Sequence, residues 1–167
     1  FVLSQFNDVT EGIAAVPADN GFADVDLFRN LNRYGVIHLT THGILDVGAG
    51  HQPGGCISTG GFVTPAVVTE LQPDYRLRNV FALCVPHLSQ GQNIYVGLTP
   101  AFFSFYYSQD PLPGSLVNLA CCSVAGNPYT WRNLASIGAQ AMVGFDAEVP
   151  SSFADTTMGE FVRRMCT

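Results

Sequence analysis

Short apolar runs recur along this chain at Val36–Thr40, 79–84, 115–120 and 139–145, each only five to seven residues long. Such runs are too short for buried helices and suit strands covered on both faces. Between them lie segments with helix-start chemistry. Thr64-Pro65 and Thr99-Pro100 pair a capping hydroxyl with a proline at the first helical position, and Ser151 or Ser152 can cap the last helix. Strands alternating with helices at this spacing predict an α/β domain: a three-layer α/β/α sandwich on a mostly parallel sheet. No linker divides it, so residues 1–167 read as a single domain.

The remaining punctuation agrees. Val25, Leu27, Phe28 and Leu31 place one apolar face on a helix over 23–33, which Gly35 ends. The glycine-rich stretch 43–61 reads as a loop, with Phe62 and Val63 able to pair with Ile57. A further strand is expected at 93–98, after a polar turn at 89–92. Helices are expected from Pro65 to Leu71, over 101–108 and from Tyr129 to Ile137, the last closed by Gly138. Phe153, Met158, Phe161 and Val162 form the apolar face of the final helix.

Charge narrows the function classes. Charged residues are 12% of the chain, against about 25% in an average soluble domain. The net charge is −6, and all seven basic residues are scattered arginines. No basic stripe follows a phosphate backbone, which argues against nucleic-acid binding. No apolar run reaches the roughly 18 residues of a membrane span. The chain opens on Phe1 and its last helical pattern still runs at Met165, so it reads as a piece of a longer protein with flanking domains. Residues 1–5 lack the pattern of a signal peptide, and the compartment stays open between bacterial cytoplasm and secretion.

In parallel α/β sheets, reactive groups gather at the carboxyl ends of strands. Two strand ends carry them here. Val36-Ile37-His38-Leu39-Thr40-Thr41-His42-Gly43 ends on a histidine and a glycine whose amide can be approached closely. Ser115-Leu116-Val117-Asn118-Leu119-Ala120-Cys121-Cys122 ends on two thiols. A histidine and a cysteine meeting from two such ends is the arrangement of nucleophilic thiol catalysis. His38, inside its strand, reads as structural.

This order of motifs, a strand ending in His-Gly and a later one ending in Ala-Cys, resembles the caspase-like cysteine peptidases, which include gingipains, legumain, separase and CHAT domains. Ile137-Gly138-Ala139-Gln140-Ala141-Met142-Val143-Gly144-Phe145 is similar to the Gly-Ala-plus-strand segment that follows the cysteine in gingipain-like and CHAT proteins. The resemblance implies a thiol protease acting on peptide or protein substrates, without cofactor or metal. Cys121 would be the nucleophile and His42 the acid that protonates the leaving amine. The amides of Gly43 and Cys121 would hold the oxyanion, and Asp46 or Asp146 would select a cationic residue before the cut. Successive side chains alternate, so only one of Cys121 and Cys122 can face His42, and the Ala-Cys order favours Cys121.

Two other readings stand beside this one. The first is a catalytically inactive caspase-like module that serves interaction or signalling. The second is a zinc-stabilised binding domain, with Cys84, His87, His51 and Cys56 as ligands.

Overall fold

The computed structural model describes residues 24–44, 56–87 and 91–165. They form a mixed α/β domain with two separate sheets. The first is parallel and three-stranded, in the order β1 (Val36–Thr40), β6 (Leu116–Ala120), β7 (Ala141–Gly144). Its central strand, β6, is paired on both sides, Ile37 with Val117 and Val117 with Met142. All three strands fall within runs read from the sequence.

The second sheet corrects an expectation. The strands predicted at 79–84 and 93–98 do not extend the parallel sheet. They belong to a four-stranded antiparallel sheet, in the order β2 (Gly43–Ile44), β3 (Cys56–Phe62), β5 (Gly91–Leu98), β4 (Val80–His87). The stretch read as a loop to Gly61 contains β3, because glycine there marks a bulge rather than a strand end. The β3–β5 register shifts between Ser58 and Phe62, where Gly60 and Gly61 stand. Phe62 then stacks on Tyr95 with ring centroids 4.8 Å apart. Pro86 fits within β4 because that strand lies at the edge, where a missing N–H costs no ladder bond.

The helices are short. Val25–Phe28 (α1) is capped by Asp24, whose carboxylate accepts from the Leu27 amide at 3.0 Å. The predicted helix over 23–33 breaks after it into a 3-10 turn at Leu31–Arg33. Pro65–Glu70 (α2) starts as read, with Thr64 accepting from the Val67 amide at 3.2 Å. Gln72–Arg76 (α3) follows it directly. Pro100–Tyr106 (α4) departs from the cap expected of it. The Thr99 hydroxyl donates instead to the carbonyls of Arg78 and Asn79, tying the helix start to the antiparallel sheet. Pro128–Ser136 (α5) is capped by Asn127 and closed at Gly138, whose φ of +103° suits glycine. Ser151–Met165 (α6) buries Ala154, Met158 and Val162, while Phe153 stays exposed.

The main core joins one face of the parallel sheet to α1, α4 and α5. Ile37, Val117 and Leu119 pack there with Phe28, Phe103, Tyr107, Leu134 and Ile137. Helix α6 lies against β6 as well. A polar tie closes the helical side: Asp74 on α3 takes Arg29 at 2.9 Å, the Tyr106 hydroxyl at 2.9 Å and the Asn79 amide at 3.2 Å.

Candidate functional site

His42 sits where the two sheets meet. On one side the Thr41 amide donates to the carbonyl of Ala120, continuing the β1–β6 pairing. On the other, the Ser58 amide donates to the carbonyl of His42 at 2.9 Å, and the Thr41 hydroxyl donates to the Ser58 carbonyl at 2.8 Å. The histidine backbone is thus held from both sheets while its side chain is exposed.

The thiol loop begins at the end of the neighbouring strand. Parity along β6 decides what each cysteine does. Val117, Leu119 and Cys121 share one face and join the apolar core; Cys121 is only 1% exposed. Burial pushes its thiol up to about 12, and the adjacent Cys122 adds to the rise. Cys122, one residue on, is half-buried and its Sγ lies 3.5 Å from the Val149 carbonyl. Ser123 follows with a φ of +59°, a left-handed turn that sends the chain away from the strand.

An open cleft of about 480 Å³ lies at this point, lined by His42, Gly43, Cys122, Glu148, Val149 and Pro150. The structure therefore brings together His42, Gly43 and the second of the two thiols. Cys121 stands behind the cleft wall, its Cβ 3.3 Å from where a side chain on Gly43 would begin. That close approach explains the glycine, since any Cβ there would also overlap the Cys122 carbonyl and Val124.

The third wall is the connection between β7 and α6. It is strapped to the thiol loop by backbone bonds, Ser123 N to Ala147 O and Ala125 N to Phe145 O, both 3.0 Å. The carbonyl of Asp146 presses on Gly126, where a Cβ would stand 2.7 Å away. The Asp146 side chain is exposed and does not line the cleft; Asp46 lies outside the described residues. Glu148 and Val149, which do line it, were passed over in the sequence. The run Asp146-Ala147-Glu148-Val149-Pro150 has no periodicity, and only the strap shows which of its residues face the thiol.

Of the residues of the zinc reading, Cys56 lies on one strand and Cys84 and His87 on another, not paired with it. Cys56 is fully buried at the start of β3, its thiol raised to about 12 by burial. Cys84 and His87 lie on β4, and His51 lies outside the described residues. Among the described residues no three histidines, cysteines or carboxylates gather closely enough to hold a metal ion.

His38 and Asn118, paired in register on β1 and β6, occupy the sheet face opposite the main core. Asn118 is completely buried, and neither of its side-chain polar atoms has a partner among the described residues. His38 shares a hydrogen bond with Thr40 through Nε2 at 3.0 Å, while its Nδ1 is buried and unpaired. Burial lowers its pKa to about 4, against a smaller upward pull from Asp155 on α6. No protein-family model, curated protein or solved structure matches this chain.

Proposed function

We propose that this chain is a cysteine peptidase of the caspase-like kind, cutting peptide bonds with a thiol at the end of β6 and the imidazole of His42. The observation that carries this reading is the shared cleft: Cys122, His42 and Gly43 line one opening at the carboxyl ends of two adjacent parallel strands. Helices α4 and α5 on one sheet face, with α6 against β6, support the three-layer arrangement that the resemblance implies.

The chemistry needs few groups. The thiol proton passes to His42, and the sulfur attacks the peptide carbonyl carbon. The imidazolium then protonates the amine nitrogen as the C–N bond breaks, and water hydrolyses the thioester left on the sulfur. A backbone amide at Gly43 is suited to the oxyanion. The amides of Ser123 and Ala125 are already engaged by the strap and are not candidates.

The cleft favours Cys122 as the thiol. The Ala120-Cys121 order of the resemblance favours Cys121, which reaches the cleft only if the chain around the Cys121–Cys122 peptide turns over. Hydrolysis of a peptide library by the wild type and three variants tests the reading. His42→Ala and Cys122→Ala are expected to abolish turnover, while Cys121→Ala keeps most of it. Loss confined to Cys121→Ala among the cysteine variants moves the nucleophile to Cys121. A wild type that hydrolyses nothing leaves the inactive interaction module, which the burial of Cys121 supports.

A further inference from the structure

Helix α6 lies against β6 on the face of the parallel sheet opposite the main core, and that face is polar at its centre. The helix buries Ala154, Met158 and Val162, whose side chains offer no hydrogen-bonding nitrogen or oxygen. On the sheet stands Asn118, completely buried, with both side-chain polar atoms unpartnered among the described residues. The unpartnered Nδ1 of His38 is beside it in register. Asp155 on α6 is near enough to act on the His38 charge, yet it bonds to neither side chain. Each unpartnered atom loses water when the helix docks and gains no bond in exchange. Undocking gives that water back. The polar seat therefore opposes the apolar contacts that hold α6, the condition under which one element opens before the rest of a domain.

The cleft wall is built into the start of this helix. The Pro150 carbonyl accepts from the amides of Phe153 and Ala154, both at 3.0 Å, so Pro150 moves with the first turn. Ala147, three residues earlier, is fixed to the thiol loop by the Ser123 amide. Only Glu148 and Val149 lie between the fixed point and the moving one. Val149 is joined to the loop by the Cys122 thiol at 3.5 Å, a weak donor.

We infer that α6 is a lid, undocking from the sheet as a unit about a hinge at Glu148 and Val149 and widening the cleft beside Cys122 as it goes. The inference holds whether the cleft hydrolyses peptides or only binds them, and none of its readouts is turnover.

Hydrogen exchange read by mass spectrometry and labelling of Cys122 test it together. The label is a maleimide on a rigid dye too large for the closed cleft of about 480 Å³. In the wild type, α6 amides are expected to exchange about a hundredfold faster than those of β6, while the Ser123 and Ala125 amides stay protected with β6. Asn118→Leu keeps the branched heavy-atom skeleton and removes the polar atoms. It is expected to slow both α6 exchange and dye labelling about tenfold. Met158→Ala cannot overpack the seat and is expected to speed both by about tenfold or more. If Asn118→Leu lowers Tm through overpacking, Met158→Ala decides the matter. Wild-type α6 exchanging in step with β6 overturns the lid. So does an Asn118→Leu variant of undiminished Tm whose α6 exchange is not slowed, or dye labelling that fails to follow α6 exchange in Met158→Ala.

Discussion

Gly43 meets the carbonyl oxygen of Cys122 so closely that the smallest side chain would overlap it, and the same added atom would strike Val124. One obstacle is backbone and the other a buried branched side chain, so neither can swing aside cheaply. Gly43→Ala is expected to cost about 1–3 kcal/mol by overpacking, which lowers Tm by roughly 3–10 °C in a domain of this size. Turnover should fall by more than tenfold even well below the new Tm, because the thiol loop itself must shift. Thermal unfolding and peptide hydrolysis measured on the same sample check both parts.

The two adjacent cysteines should differ sharply toward alkylation. Cys121 is buried with its thiol raised to about 12, while Cys122 faces the cleft. Thiolate is the reactive form, so a brief pulse of iodoacetamide at pH 8 should modify Cys122 and spare Cys121. In denaturant both should react. Peptide mapping by mass spectrometry reads the result, and native labelling of Cys121 would show that the thiol loop turns over in solution.

His38 gives the fold a dependence on pH. Its folded pKa is about 4, below the 6.5 of an unstrained histidine, so between those values the unfolded chain binds the extra proton. Stability from keeping His38 neutral is complete above about pH 6.5. It drains away as pH falls and levels off below about 4, a loss on the order of 3 kcal/mol. Urea unfolding of the wild type and His38→Gln at pH 7 and pH 4.5 should show a smaller acid loss in the variant. Parallel losses in the two would remove His38 as the cause.

Asp74 is 4% exposed and holds Arg29, Tyr106 and Asn79 together. Asp74→Ala leaves the part-buried Arg29 with the exposed Asp26 as its one carboxylate among the described residues, beside the ring of Tyr106. Removing one partner of such a pair is expected to cost about 3 kcal/mol, or roughly 6–12 °C in Tm. None of the four residues lines the cleft, so kcat/KM at 20 °C should hold. Calorimetry and hydrolysis assays separate the two effects.

The parallel sheet was legible in the sequence because its strands are continuous apolar runs bounded by turn residues. Its antiparallel partner was not. Cys56–Phe62 contains two adjacent glycines, a loop signal that here marks a bulge inside a strand. The Thr64 cap was readable because its partner lies three residues away. Thr99 has the same local sequence but bonds to the distant Arg78 and Asn79, which no local pattern reveals. The site was half-readable. His42 and Gly43 follow from their place after β1, but the Ala-Cys order favoured Cys121 as the thiol facing His42, whereas the structure packs Cys121 in the core and lines the cleft with Cys122. Glu148 needed the strap, a contact between segments more than twenty residues apart in sequence.

His42 is also a mechanical joint. Its backbone is gripped by β6 through Thr41 and by β3 through Ser58, so it is the point where one sheet hands over to the other. The thiols follow β6 on a loop strapped to the connection between β7 and α6. The spacing between imidazole and thiol is therefore set where three segments meet: the end of β1, the strand β3 and the strapped loop after β6.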